Sequence, residues 1–333
     1  MMDSEDNEES ISLTLNEDDL SEHKRLDLFL SKKIKDLSRN FIKSLFQKGL
    51  ITVDEDSPYQ GKLELKKMPP AGTRLRIEVP PPAPSDAIAE DLPLEILFED
   101  EHLIIVNKAA GMVVHPAPGH PTGTLVNAIL HHCKDLKGVG DQKRPGIVHR
   151  LDKGTSGVMV VAKTQKCHEG LVLLFSEHNI IREYQALVMK TKLRDSGAVE
   201  SHIGRHPNNR LKMASEVRNG KWSKTYYKVV ELFQHCTLVS CTLETGRTHQ
   251  IRVHMSQDLK APLLMDPLYG NPKENIKRLP GEVAKVFKEY PHPFLHAKKL
   301  GFIHPITKEE LLFETELPAI FQETLQALRE FDS

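Results

Sequence analysis

One loop-and-strand unit constrains this chain more than anything else in it. Arg144-Pro-Gly-Ile-Val-His-Arg-Leu-Asp152-Lys-Gly-Thr-Ser-Gly157 runs directly into Val158-Met-Val-Val-Ala162. An apolar run bounded by Gly157 and Lys163 reads as a strand covered by the rest of a sheet. The segment before it is polar and punctuated by Pro145, Gly146, Gly154 and Gly157, so it reads as a loop. Loops held by buried strands are where catalytic groups ordinarily sit. Asp152 lies in this loop between Arg150 and Lys153, with His149 just upstream. Positive neighbours favour the charged form of a carboxylate. A charged, positioned carboxylate suits a nucleophile more than a general acid. In most loops an Asp in such a setting is merely a turn former or a cap. Gly154-Thr-Ser-Gly157 lacks the G-x-S-x-G spacing of a serine nucleophile elbow.

The assembled string shifts that balance. It resembles the catalytic motif of the RluA/RluD class of RNA pseudouridine synthases, in which the Asp of His-Arg-Leu-Asp is the nucleophile. Four other stretches are similar to the same class. Lys108-Ala-Ala-Gly-Met-Val-Val-His115 resembles its lysine–proline–x–glycine stretch, with Ala109 in place of Pro. Arg182-Glu-Tyr184 resembles its lysine–x–tyrosine motif, with Arg182 replacing Lys, and makes Tyr184 the active-site tyrosine. Glu244-Thr-Gly-Arg-Thr-His-Gln-Ile-Arg252 resembles its Thr-Gly-Arg-x-His-Gln-Ile-Arg motif and makes Arg252 the partner of the nucleophile. Met265-Asp-Pro-Leu-Tyr-Gly270 resembles a further stretch, with Met265 where Gly is usual. Arg247 is the competing partner for Asp152, since it lies in the same motif. The resemblance extends over about residues 24–325 and makes Asp152, Tyr184 and Arg252 the catalytic residues.

Composition bears on partners and compartment. Nine of the 46 acidic residues fall in residues 1–22, where there is no Lys or Arg. The remaining chain carries 45 basic against 37 acidic residues, a net charge of +8 hidden under an overall −1. A cationic body is compatible with a polyanionic partner. The acidic stretch reads as a disordered tail, 1–22, opposite in character to a secretory signal. No apolar run approaches the roughly 18 residues that span a bilayer. A cytoplasmic protein with no membrane contact is expected. Cys133, Cys167, Cys236 and Cys241 form no C-x-x-C pair, so they read as buried free thiols and no metal is expected. His249 and His254 are wrongly spaced for a helical metal pair.

Residues 23–80 read as a small separate domain. Leu26, Phe29, Leu30, Ile34 and Leu37 fall at helical spacing, and Ser38 can cap a second helix bearing Phe41, Ile42, Leu45 and Phe46 and ended by Gly49. Leu50–Val53 and Leu75–Val79 read as strands. Lys32, Lys33, Lys35, Arg39, Lys43 and Lys48 lie off the apolar stripe. This pattern resembles the alpha-L RNA-binding domain, and makes Lys32, Arg39, Lys43 and Lys48 RNA contacts. Pro80, Pro81, Pro82 and Pro84 mark a stiff linker over 81–92. A second domain, 93–325, is strand-rich, with a helix capped by Thr124 and another over 166–178. Lys108–His115 continues the strand pattern. Arg205, Arg210 and Lys212 stand in a basic loop and, with Arg150 and Arg247, are candidate phosphate contacts.

The fold implied is α+β: a mixed, mostly antiparallel sheet, the pseudouridine synthase fold, preceded by the alpha-L domain. Neither a P-loop nor G-x-G-x-x-G is present, so no nucleotide cofactor is expected. The activity implied is isomerisation of uridine to pseudouridine in RNA, with ribosomal RNA of the large subunit favoured over transfer RNA and a monomer as the working unit. Asp152 would act at the ribose anomeric carbon, by covalent attack or by assisting proton loss from the neighbouring carbon. Two other classes compete. A non-catalytic RNA-binding ribosome-assembly factor needs no Asp152. An RNA N-glycosidase releases free uracil.

Overall fold

The computed structural model describes residues 9–34, 37, 39–79, 87–117, 119–134, 136, 138–141, 144–190 and 192–333. Asp3, Glu5, Asp6 and Glu8 of the acidic stretch, Lys35, the proposed cap Ser38, and the linker prolines Pro80, Pro81, Pro82 and Pro84 lie outside the described residues. The chain divides into two compact units, Met1–Ala83 and Pro84–Ser333.

The first unit contains β1 (Glu9–Thr14), α1 (Glu17–Glu22), α2 (Leu26–Lys33), α3 (Arg39–Gln47), β2 (Ile51–Val53) and β3 (Arg74–Val79). Its sheet is antiparallel in the order β1-β3-β2. The disordered tail expected over 1–22 is therefore wrong for residues 9–22. Ile11, Leu13 and Leu15 alternate with polar residues, which gives β1 an apolar face. Ile11 pairs with Ile77 and Leu13 with Leu75, and all three pack on the core of this unit. The acids that suggested disorder serve α1: Glu17, Asp18 and Asp19 occupy its first turn, where the helix dipole favours negative charge. Asn16 closes a capping box with Asp19.

α2 buries Leu26, Phe29 and Leu30, and with them Asp27. The Asp27 carboxylate is fully buried between Arg25 at 3.0 Å and Arg39 at 2.8 Å. The Arg25 hydrogen bond, followed by that of Arg39, holds its carboxyl well below the usual range against the opposing effect of burial. Arg39 reaches this buried carboxylate with one nitrogen while about half of its side chain, 49%, stays exposed, and Lys32, Lys43 and Lys48 are exposed as well. Gly49 takes φ +75 after α3, a conformation open to glycine.

The second unit contains β4 (Glu95–Glu99), β5 (Leu103–Lys108), α4 (Leu125–His132), β6 (Gly140–Asp141), β7 (Arg144–Pro145), β8 (Ser156–Ala162), α5 (Gln165–Ser176) and β9 (Ile181–Val188). It continues with β10 (Ser196–Arg205), β11 (Met213–Ala214), β12 (Lys221–Leu232), β13 (Thr237–Leu243), α6 (Gln250–Val253), α7 (Pro272–Arg278), α8 (Gly281–Phe287), β14 (Leu295–Ile303), β15 (Glu310–Glu314) and α9 (Ala319–Asp332). The main sheet runs β11-β10-β12-β13-β9-β14-β8-β5-β4, with β15 on β14. Its ladders are antiparallel except β8 with β14.

β8 is the strand read from the apolar run, and all seven of its residues are buried. Met159 and Val161 join one core cluster, while Val158, Val160 and Ala162 join another on the opposite face. At its start, Gly157 takes φ +117 against β14, where a Cβ would collide with the Ala297 backbone. Thr124 caps α4 in a capping box with Asn127.

Three expectations are corrected here. Residues 109–112 turn away after β5 instead of extending it, because Gly111 takes φ +92 and donates to the Lys153 carbonyl. Residues 87–92 of the expected linker are fixed to this unit: Ala87 is in its core and Asn127 donates to the Ile88 carbonyl at 2.6 Å. The unit also continues past 325, since α9 buries Phe321, Leu325 and Leu328. Among the described residues no helix is long and apolar enough to cross a membrane.

The buried Asp27 pair gives a pH prediction. A carboxylate whose folded pKa is lowered adds stability above its unfolded pKa of about 3.9, and that stability is lost as pH falls toward the lowered value. Asp27→Asn should cost about 2 kcal/mol at neutral pH and should shrink the loss of stability on acidification. Urea unfolding at neutral and acidic pH checks this; identical acid slopes in both proteins would remove Asp27 from the acid response.

Candidate active site

The central strands bring three distant segments together. β14 lies between β8 and β9, so the loop before β8 comes close to Tyr184 on β9. β13 pairs with β9 and leads through residues 244–249 into α6, which carries Arg252.

The loop bearing Asp152 is anchored at both ends. Thr155 N–H donates to the Asp152 carbonyl at 3.0 Å and Gly111 N–H to the Lys153 carbonyl at 2.7 Å. Lys108, with 1% of its surface exposed, donates to the carbonyls of Ala109 and Met112 at 2.9 Å. Burial pushes its ammonium down to about 7, against the charge of Asp152. His149 accepts the Val160 N–H at 3.1 Å and stacks on Phe175. Burial, then the charge of Arg182, pushes its imidazole down to about 3, so it acts as a neutral anchor.

Arg252 meets Asp152 directly, Nη1 to Oδ2 at 3.1 Å. Its other edge forks onto Asp266, Nε to Oδ2 at 2.7 Å and Nη2 to Oδ1 at 2.9 Å. Asp266 is fully buried and also accepts the Leu268 and Tyr269 N–H groups. Burial alone would lower the guanidinium pKa; the hydrogen bonds and charge of Asp266, then of Asp152, outweigh it and raise it. Arg247 instead donates to the Trp222 carbonyl at 3.3 Å. Gln250 locks the entry to α6 by bonding Thr245, Thr225 and the backbone of Arg247 and Lys224. A turn of π-helix, His254–Asp258, follows α6. Such turns recur at functional sites.

Asp152, Tyr184, Arg182, Arg247, His249 and Arg252 line one cavity of about 460 Å³, a size suited to a small ligand or a single base. Burial pushes the Tyr184 phenol up to about 12, with the charge of Arg182 opposing it. Arg150 is exposed and also lines this cavity. A second cavity of about 480 Å³, lined by Lys190, Lys192, His235 and Arg278, contains none of these groups. Arg205, Arg210 and Lys212 lie outside the lining: Arg205 donates to the Arg210 carbonyl at 3.0 Å, and the Lys212 ammonium stands over the Tyr269 ring.

Sequence reasoning matched Met265–Gly270 to a family stretch but did not find the role of Asp266. A carboxylate's partner is not written in its neighbours. The four cysteines are free and buried. Ligand atoms of Glu99, His132 and Cys133 lie within 4.8 Å of one another. Lys163, 2.6 Å from Glu99, already supplies positive charge there.

Residues 102–257 match the model of the RNA pseudouridylate synthase family. The chain is 41% identical over 319 residues to an uncharacterized RNA pseudouridine synthase, YlyB, of Bacillus subtilis (strain 168), across 96% of this chain and 98% of that one. The chain belongs to this family. A ribosomal large subunit pseudouridine synthase D of Zymomonas mobilis is 43% identical over 90% of this chain and 92% of its own. Among solved structures, human RNA pseudouridylate synthase domain containing 4 matches with a TM-score of 0.54 and 27% identity, over 71% of this chain and 93% of that one. The mixed, mostly antiparallel sheet is the pseudouridine synthase fold, and the chain is an isomerase of uridine in RNA.

The two-carboxylate fork on Arg252 gives a testable coupling. Arg252→Lys keeps the charge but cannot serve both carboxylates, and should lower kcat about a hundredfold. Asp266→Asn should lose a similar factor. Because both remove one clamp, the double variant should fall no more than about threefold below the worse single variant. Multiplicative losses in a double-mutant cycle would show that Asp266 does not act through Arg252.

Proposed function

We propose that this isomerase converts uridines of large-subunit ribosomal RNA to pseudouridine, with Asp152 as nucleophile, Arg252 as its partner and Tyr184 against the base. The Asp152–Arg252 ion pair inside a base-sized cavity carries this reading. The names of relatives such as the Zymomonas mobilis enzyme support the ribosomal target. The target base must leave its stack, at a cost of a few kcal/mol. The cavity offers Tyr184 for stacking and Arg182 and Arg247 for polar contacts. The bond from ribose C1′ to uracil N1 breaks, and one from C1′ to C5 forms. The C5 proton leaves and N1 gains one, so nothing is added overall. Asp152 supplies the anion at C1′. A phenol held up near 12 stays protonated at neutral pH, which suits Tyr184 to stacking and donating. Closure to water separates isomerisation from release of uracil.

In this reading the first unit is an alpha-L RNA-binding domain, with Lys32, Arg39, Lys43 and Lys48 on phosphates. Arg150, Arg205, Arg210, Lys212 and Arg247 add contacts around the second unit. The enzyme works as a cytoplasmic monomer without a cofactor.

Asp152→Asn should abolish pseudouridine formation while RNA affinity changes less than about tenfold, since an acidic side chain gives no phosphate contact. Pseudouridine mapping of total RNA from cells with and without the protein tests the target, and recovery of free uracil would favour a glycosidase. Replacing Lys32, Lys43 and Lys48 together by Gln should flatten the slope of log affinity against log salt by about two to three. An unchanged slope would take these lysines off the RNA.

A further inference from the structure

His249 stands beside the ion pair, and its two ring nitrogens have different neighbours. Nδ1 lies 2.7 Å from the Tyr269 hydroxyl. Nε2 lies 3.8 Å from Asp152 Oδ2, the same oxygen that Arg252 holds. The Tyr269 oxygen also accepts the Met213 N–H at 2.7 Å. A phenol has one proton to give. Were Nδ1 protonated, Tyr269 would accept twice and its own proton would have to turn to solvent. The arrangement that satisfies all three groups has Tyr269 donating to Nδ1, which leaves the imidazole proton on Nε2, facing Asp152. Burial pushes this imidazole below its ordinary value against the charge of Asp152, consistent with a neutral ring.

The backbone supports the same orientation. His249 takes φ 58 and ψ 19, a left-handed conformation uncommon for a residue with a side chain. Val253 N–H donates to the His249 carbonyl at 2.9 Å, and Gln250 fixes the preceding turn through Arg247. The Tyr269 ring packs edge-on against the imidazole and also lies 5.0 Å under the Arg252 guanidinium.

We propose that His249 is a positioning residue for the isomerisation: its Nε2–H, set by Tyr269, joins Arg252 on Asp152 Oδ2 and leaves Oδ1 to meet the ribose. Among the described residues the side-chain contacts to Asp152 reach Oδ2 alone. A separation of 3.8 Å is open for a hydrogen bond, and catalytic contacts of this kind tighten when substrate arrives. The proposal rests on Asp152 being the nucleophile, and no motif match assigned His249 this part.

Two measurements test it. Nitrogen-15 histidine spectra of the full chain, with His249→Gln identifying the signal, should show a neutral ring protonated at Nε2 and bare at Nδ1. Tyr269→Phe should shift that signal toward a mixture of tautomers. A wild-type ring protonated at Nδ1 overturns the proposal. On a large-subunit ribosomal RNA transcript, His249→Ala should lower kcat about a hundredfold and leave KM within about threefold. His249→Gln places an amide N–H where Nε2 was and should recover to within about tenfold of wild type; His249→Asn reaches only the Nδ1 position and should not. Equal activity in the Gln and Asn variants, or a loss that follows KM or unfolding temperature alone, overturns it too. If wild-type enzyme leaves the transcript unmodified, the proposed target fails, and the tautomer spectrum still decides the role of His249.

Discussion

The site depends on one guanidinium shared by two carboxylates. Arg252 is 6% exposed and Asp266 wholly buried, so both charges have left water. Removing charges from water costs several kcal/mol each and is repaid only by good geometry with the remaining lone pairs satisfied. The planar fork of an arginine meets that condition with Asp266, whose oxygens also take two backbone N–H groups. The remaining guanidinium nitrogen is then aimed at Asp152. Asp152 is the more exposed carboxylate, at 16%, and lines the cavity. One anion is structural and the other faces the ligand space, and their depths set the difference.

The clamp is held by uncommon backbone. His249 and Met265 both lie in the left-handed region, at φ 58 and φ 60, one just ahead of Arg252 and the other just ahead of Asp266. Conformations like these persist where surrounding packing over-determines them. Met265 is buried in the core cluster that also contains Leu264, Phe287 and Phe294. The Gly usual at that position in the related stretch would take the same turn without strain. Here the side chain's burial offsets that strain.

The cations divide by what they touch. Arg39 bonds Asp27, Arg247 a backbone carbonyl, and Lys108 the carbonyls of Ala109 and Met112 near the Asp152 loop. Lys32, Lys43, Lys48 and Arg150 are exposed. A basic count alone treats them as one set, although the buried Lys108 has no face left in water with which to meet a phosphate.

Local pattern was legible wherever a short-range rule governs. The apolar run 158–162 is the buried strand it reads as, Thr124 caps its helix, and α3, β2 and β3 fall where period and turn residues put them; α2 stops at Lys33, with Ile34 extended, short of the Leu37 to which the helical spacing runs. In residues 9–15 the charge count masked a two-residue alternation that was present in the sequence all along. β14 was not read as a strand, since Lys298, Lys299 and Gly301 interrupt its apolar pattern and a bulge breaks its register with β9. The motif residues Asp152, Tyr184 and Arg252 were legible through resemblance. The resemblance already puts Arg252 ahead of Arg247 as the partner of Asp152, and the 3.1 Å contact agrees; that Asp266 holds Arg252, and that Arg39 bonds Asp27, came only from the tertiary structure. Hydrophobic period and capping act between residues a few positions apart. An ion pair between residues 100 positions apart depends on which strands lie side by side, and that is decided by the packing of the whole sheet.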